Sequence, residues 1–329
     1  MGDKDSITKQ YMKQPERFAD LFNGFCFGGE EKLHPDELKD MDTASIVLPY
    51  GEDGAPLPKQ KSRDVLKLAL KTDGKAAYCI LGVENQSKIH TAMPVRNMLY
   101  DAMTLAEQVA AAANSHKEAH NRGKDSAEYL SGFHREDKLL PVITLVIYWG
   151  ADEWEAPVTL REMYPEGLDE RILHYANEYK VNLISPAQMT DEQLDVFRSD
   201  LKAVLKFIKH SKDKYELANL VSNNQDYKSL DRLAAQTISV CSGQNFNFPV
   251  GEERIDVCKA IDDMVTDARN EGINQGISQG RNEAENEGMK NIIATVRDLK
   301  LSKEVAVQQL AKRYPVSQDE AVSFVESNW

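Results

Sequence analysis

Cysteine is scarce in this chain. None of its four cysteines (Cys26, Cys79, Cys241, Cys258) forms a C-x-x-C pair or sits in a histidine cluster. That argues against a zinc site and a disulfide framework, and points to a reducing compartment, the cytoplasm. No apolar run is long enough to span a bilayer, and the N-terminus is charged from Asp3 and Lys4 onward. Neither a transmembrane helix nor a signal peptide is expected, and a membrane is not an expected partner. Low-complexity blocks are missing as well. Positive charge is in deficit: 40 Lys and Arg against 53 Asp and Glu leave a net charge of −13. A uniformly basic nucleic-acid-binding surface is thereby excluded. What is present is 329 residues of globular composition, enough for one full domain and a smaller appendage.

The charge is not evenly spread. Residues 59–100 hold eight cations (Lys59, Lys61, Arg63, Lys67, Lys71, Lys75, Lys88, Arg96) against three acids (Asp64, Asp73, Glu84). A basic surround of an acidic pair suits a metal site that faces a polyanion, although a solvated face would give the same count. Within this stretch Val65–Leu70 reads as a strand, Thr72-Asp73-Gly74 as a turn and Ala76–Val83 as a second strand. The resulting β-hairpin carries Asp64 on one arm and Glu84 on the other.

Around the hairpin the pattern is α/β. Thr8–Phe27 has apolar residues at helical spacing (Phe18, Leu21, Phe22, Phe25) and ends at Gly28-Gly29. Ala44–Leu48 is a short strand and Gly51–Pro58 a loop. Pro94–Lys117 reads as a long amphipathic helix with Val95, Met98, Leu99, Met103, Ala106, Val109 and Ala110 on one stripe. Leu140–Trp149 is the most apolar segment and reads as a buried central strand, with Val181–Ile184 as another. Leu194–Ile208 is a further amphipathic helix. The division expected is a first domain over 1–210 and a helical region over 211–329. In the latter, Gly272, Gly276, Gly280 and Gly288 recur in steps of four within a helix of about 268–290. Small residues at that spacing share one helix face and admit a close partner backbone, while each glycine costs roughly 1 kcal/mol relative to alanine. The helix is therefore expected to need a partner helix, such as the same segment of a second protomer. A helical hairpin closes the chain, with a capping box at Ser317–Glu320.

Side chains alternate faces along a strand, so Glu84, Gln86 and Lys88 share a face while Val83 and Asn85 point away. Asp64 and Glu84, with a backbone carbonyl near Asn85, can ligate one hard cation, Mg²⁺ or Mn²⁺, which needs few carboxylates beside water and phosphate. Gln86 is placed to orient a water or a phosphate oxygen, and Lys88 to supply charge. Lys61 and Arg63 belong to the same basic surround. Arg96 and Tyr100, four apart on the following helix, either hold a DNA phosphate or brace Glu84. His90 reads as structural, His116 and His120 as surface histidines, and Trp149 and Trp154 as packing residues.

Asp64 followed by Glu84-x-Gln86 resembles the PD-(D/E)XK nuclease core, with Gln86 in the usual lysine position. The surrounding text resembles one branch more closely. Its carriers are Glu16-Arg17-Phe18-Ala19-Asp20-Leu21-Phe22-Asn23, then Glu84-Asn85-Gln86-Ser87, then Met93-Pro94-Val95-Arg96-Asn97-Met98-Leu99-Tyr100. These, with the Gly-every-four tail, resemble the Rpn family of recombination-promoting nucleases and putative transposases. The resemblance implies a restriction-endonuclease-like core, a central mixed sheet flanked by helices, and a Mg²⁺-dependent DNA endonuclease linked to recombination. It implies that Asp64 and Glu84 are the metal carboxylates and that Gln86 occupies the catalytic lysine position. It also implies one more acid from the first helix, for which Glu16 is preferred over Asp20. DNA is the expected partner, and a homodimer through the C-terminal helices the expected assembly. The alternative is a catalytically weak or inactive nuclease fold that binds DNA or protein.

Overall fold

The structure is a computed structural model describing residues 3–42, 44–46, 60–70, 77–244, 246 and 248–329. The N-terminal apolar segment forms two helices, α1 (Asp3–Lys13) and α2 (Pro15–Phe27). Where one helix was expected, the chain breaks at Gln14, which is extended (φ −64°, ψ 124°). The cause is Pro15, whose ring disfavours helical backbone in the preceding residue and which serves well as a first helical residue. Helix α2 buries Phe18, Leu21 and Phe22 but leaves Phe25 exposed, and ends at left-handed Gly28 (φ 59°).

Within α2, Gly24 lies so close to Phe197 that a Cβ there would sit 2.3 Å from the Phe197 ring. Alanine normally favours a helix by about 1 kcal/mol over glycine. Overpacking against a buried ring costs roughly 1–3 kcal/mol and decides the sign. Gly24→Ala is therefore expected to lower the urea midpoint of unfolding; a raised midpoint would refute this close packing.

Strands β1 (Leu38–Asp40), β2 (Ala44–Ile46), β3 (Gln60–Ser62), β4 (Val65–Leu70) and β5 (Ala77–Gln86) follow. The long helix α3 (Met93–Glu118) and short α4 (Ser126–Ser131) lead to β6 (Val142–Tyr148). After α5 (Glu170–Leu173) comes β7 (Asn182–Ile184). The central sheet is five-stranded and mixed, in the order β1-β4-β5-β6-β7. Strands β1, β4 and β5 pair antiparallel, while β5, β6 and β7 run parallel. Two parallel neighbours cannot be joined by a tight turn, which is why α3 intervenes between β5 and β6. Strand β6, the most apolar segment, is flanked on both sides and buried over most of its length. The β4–β5 hairpin is present, with Val65 opposite Val83; its expected turn and the expected loop Gly51–Pro58 lie outside the described residues. Strand β2 covers part of the strand expected over Ala44–Leu48 and pairs with β3.

Helix α3 turns a different face inward than its apolar stripe suggests. Its buried residues are Met93, Pro94, Asn97, Tyr100, Met103 and Thr104, whereas Val95, Ala106 and Ala110 are exposed. Among the polar members of the buried set, the Asn97 amide donates to the Tyr179 hydroxyl while its Oδ1 has no hydrogen-bond partner, and Thr104 donates to the Tyr100 carbonyl.

Past β7 the chain is mainly helical: α6 (Asp191–Leu194), α7 (Leu201–His210), α8 (Lys214–Asn223) and α9 (Arg232–Ser242), with β8 (Leu230–Asp231) pairing β9 (Arg254–Ile255). The helix expected over Leu194–Ile208 is interrupted because Asp20 captures the backbone N–H groups of Arg198 and Ser199 and the Ser199 hydroxyl. The chain divides into two compact units, Met1–Ala260 and Ile261–Trp329. Helix α9 packs on α1 and α7, so the first unit runs to 260 and the division expected at 210/211 falls inside it.

Helix α10 (Val257–Asp298) is continuous, and α11 (Lys303–Arg313) and α12 (Gln318–Asn328) close the chain as the expected hairpin. Their core joins Met289, Ile293 and Val296 to Val307, Leu310 and Val325. The Ser317–Glu320 capping box is formed. Among the described residues nothing lies within 4 Å of a Cβ built on Gly272, Gly276 or Gly280. Ile273 and Ile277, each one residue on from a glycine of this stripe, are exposed as well. No helix among the described residues is long and apolar enough to cross a membrane.

Candidate metal centre

The register of the hairpin sets the geometry. Val65 pairs with Val83 in an antiparallel ladder, so the residues one step beyond, Asp64 and Glu84, meet across its end. Asp64 is fixed there by the Asn85 backbone N–H, which donates to its Oδ2 at 2.7 Å. Glu84 is 0% exposed, and neither carboxylate oxygen has a hydrogen-bond partner. The nearest counter-charge is the Arg96 guanidinium, 3.6 Å from Oε2, beyond a proper hydrogen bond. Burial, with the charge of Asp64 added, pushes the Glu84 carboxyl up to about 8; Arg96 and Arg63 pull it back only in part. Asp64 is also raised by burial, against the Asn85 hydrogen bond and the charges of Lys9 and Arg96.

Two carboxylates driven up together, one of them fully buried with only the 3.6 Å Arg96 ion pair and no hydrogen bond, form a costly arrangement unless a further cation lies between them. Among the described residues no group of three or more His, Cys, Asp or Glu is placed to hold a metal. A carboxylate pair is what this strand end could offer a cation, and Mg²⁺ is an ion that uses one or two carboxylates and keeps several waters.

Asp64 borders a cavity of about 290 Å³ lined also by Asp5, Asn85, Gln86, Lys88 and Arg96 among others, while Glu84 lies buried behind that lining. Gln86 is buried on the strand end, and Lys88 is exposed beyond it. Asn85 alternates away, as expected: its side-chain oxygen accepts from the Trp149 indole at 2.8 Å. Trp149 is fully buried and Trp154 packs edge-on against Tyr148, so both tryptophans are packing residues. His90 also lines the cavity, with its Nδ1 buried and unpartnered.

The acid that the first helix brings to the cavity is not the one expected. Asp5 of α1 borders the cavity, and its charge raises Asp64. Glu16, on α2, instead lines a separate cavity with Arg17, Asp200 and Asp231. Asp20 caps the Arg198–Ser199 backbone. The break at Pro15 separates these acids from α1; only an acid at the start of α1, with no apolar context to mark it, could have been found by listing every helix-one carboxylate.

The basic surround is thinner than its sequence count. Arg63 is buried, donating to Asp101 at 2.7 Å and to Thr144 at 2.6 Å. Asp101 also accepts from Thr144 and Tyr179. Gly82 makes room for this guanidinium, since a Cβ there would lie 2.5 Å from Nη1. Tyr100 is buried, with Arg63 and Arg96 each carrying a guanidinium within 5.6 Å of its ring centre. Arg63 and Tyr100 therefore brace the site from behind rather than facing a phosphate. Lys67 is likewise buried and paired with Asp40. Lys61 pairs through its backbone with Ser45, and Lys59, Lys71 and Lys75 lie outside the described residues. Lys88 and Arg96 are the cations brought to the cavity, and Arg96 is the one that reaches Glu84.

No curated protein and no solved structure matches the chain. Residues 57–237, more than half of the sequence, match a known family and span the whole β4–β5–α3–β6 site region. On that match the chain belongs to the family described as "Putative transposase, YhgA-like".

Proposed function

We propose that this protein is a Mg²⁺-dependent DNA endonuclease with a PD-(D/E)XK-type core, acting in the cytoplasm on DNA linked to mobile elements or recombination. The observation that carries the reading is the fully buried Glu84 carboxylate, without a hydrogen bond and only loosely paired with Arg96, set against Asp64 at the end of adjacent strands. In this reading Asp64 and Glu84, with the Asn85 carbonyl, hold Mg²⁺ or Mn²⁺. The bound ion supplies an activated water and offsets charge on the phosphodiester oxygens. Gln86 orients the water or a phosphate oxygen by hydrogen bonding, and Lys88 and Arg96 meet the phosphate. Asp5, rather than Glu16, is the extra acid beside the pair. A homodimer through the exposed Gly272–Gly280 face of α10 would match the two-fold symmetry of duplex DNA.

Plasmid DNA incubated with Mg²⁺ is expected to be nicked by the wild-type protein and at least a hundredfold more slowly by Asp64→Ala and Glu84→Ala, as for the loss of an electrostatic stabiliser. Equal nicking by all three would sink the proposal. A second reading, a nuclease fold that only binds, is favoured by Gln86, which brings no charge where a lysine would. It requires that calorimetry find no Mg²⁺ binding dependent on Asp64 and Glu84.

A further inference from the structure

The far end of α3 carries a second feature. His116 and Lys117 of its last turn, with His120 and Arg122 of the following turn, line one side of a cavity of about 790 Å³. Tyr129 and Leu130 of α4 line it too. From Arg96 to His116 is about 30 Å at 1.5 Å per residue, so this cavity is separate from the carboxylate pair.

Apart from exposed Glu118, the acids near this cavity are already engaged. Glu128 is buried, and its carboxylate accepts from the backbone N–H groups of Lys124 and Arg135. Asp137 holds the His134 N–H at 2.7 Å and the His116 ring at 2.9 Å. Glu136 pairs with Lys124, and Asp125 with Arg135. Lys117 and Arg122, by contrast, have no ion pair or hydrogen bond from their side chains among the described residues. Beside these free cations stand two uncovered apolar side chains, Tyr129 at 65% and Leu130 at 83% exposure. The His116 and His134 rings, which also line the cavity, stack with centroids 3.6 Å apart.

Unpaired cations beside an exposed aromatic are what an unstacked nucleotide requires. The phosphate takes the cations, and any base can stack on the ring whatever its sequence. We propose that this cavity binds a phosphodiester-linked single strand, with Lys117 and Arg122 on the phosphate and Tyr129 on a base. In a chain of net charge −13, such a local site supplies attraction that the overall charge does not. The inference extends the nuclease reading by adding a strand-holding site that needs no metal.

The test is fluorescence anisotropy of the full chain with labelled oligothymidine and oligouridine in EDTA, across a salt series. The Lys117→Gln/Arg122→Gln protein is expected to bind about tenfold more weakly, its salt slope reduced by about 1.4 from two lost phosphate contacts. Tyr129→Ala is expected to weaken binding between about fivefold and a hundredfold with the slope unchanged. All three positions are exposed, and unchanged circular dichroism would establish that the variants are folded. A preference between the two polymers identifies DNA or RNA as the strand held. Wild-type affinity and slope in both variants, or no binding by the wild type, would overturn the proposal. Mg²⁺ calorimetry and plasmid nicking read the carboxylate pair independently, so either idea can fail alone.

Discussion

Glu84→Gln is expected to unfold at a higher temperature than the wild-type protein at pH 8 in EDTA, and this advantage should shrink and then reverse as the pH falls towards 4.5. The folded Glu84 carboxyl titrates near 8 against an ordinary 4.5. Below 4.5 both states carry the proton and the group does not alter stability. Between 4.5 and 8 the unfolded chain has released the proton while the folded chain retains it, so stability falls with rising pH. Above 8 the folded carboxylate is charged and the loss is complete. The difference of about 3.5 pH units corresponds to about 5 kcal/mol. Glutamine removes that penalty but leaves a buried amide without a partner, at about 1–3 kcal/mol. A net gain of about 2–4 kcal/mol at pH 8 remains. Added Mg²⁺ should reverse the ranking, since an ion that binds the folded wild type raises its melting temperature and the variant has lost a ligand. Calorimetric melts of both proteins at pH 5 and pH 8, with and without Mg²⁺, measure all four corners. Equal melting at pH 8 in EDTA, or equal Mg²⁺ stabilisation of both, would remove the basis for a metal site here.

The two residues on which this rests were legible because local signals agree. Strand-like runs, a turn and period-two alternation fix the hairpin, and the hairpin register brings Asp64 to Glu84. The central strand β6 and the Ser317 cap were legible for the same reason. What sequence did not disclose is which charged groups face one another. Arg63 and Lys67 count as surface cations by composition, yet both are buried because acids distant in sequence, Asp101 and Asp40, meet them. Asp5 is an ordinary exposed acid until α1 docks it beside the cavity. Helix α3 misled through its polar buried face, since Asn97 finds its partner only in Tyr179, distant in sequence, and Thr104 turns its hydroxyl back to the Tyr100 carbonyl of its own helix. The domain boundary moved for a similar reason: α9 buries a face against α1, from the other end of the first unit.

Arg63→Ala is expected to be the most damaging substitution behind the site, costing about 3–5 kcal/mol, because removing one partner leaves the other buried charge uncompensated. The Arg63 side chain is 3% exposed and its partner Asp101 is 15% exposed. Thr144 and Tyr179 would still donate to Asp101, which places the cost towards the lower figure. The vacated volume cannot close easily, since Gly82 offers no side chain and the Tyr100 ring loses the guanidinium beside it. Lys124→Ala is the control: its ion pair with Glu136 is exposed on both sides and should leave stability unchanged. Urea unfolding at constant slope gives the comparison, through the shift in midpoint alone. Arg63→Met should not rescue, because it restores volume without charge. Combining it with Asp101→Asn should recover much of the loss, because both charges then leave the interior together. If Arg63→Ala unfolded at the same urea concentration as Lys124→Ala, the Arg63–Asp101 pair would be no support for the strand end that presents Asp64. The bracing assigned to Arg63 and Tyr100 would then have to give way to a direct role at the cavity.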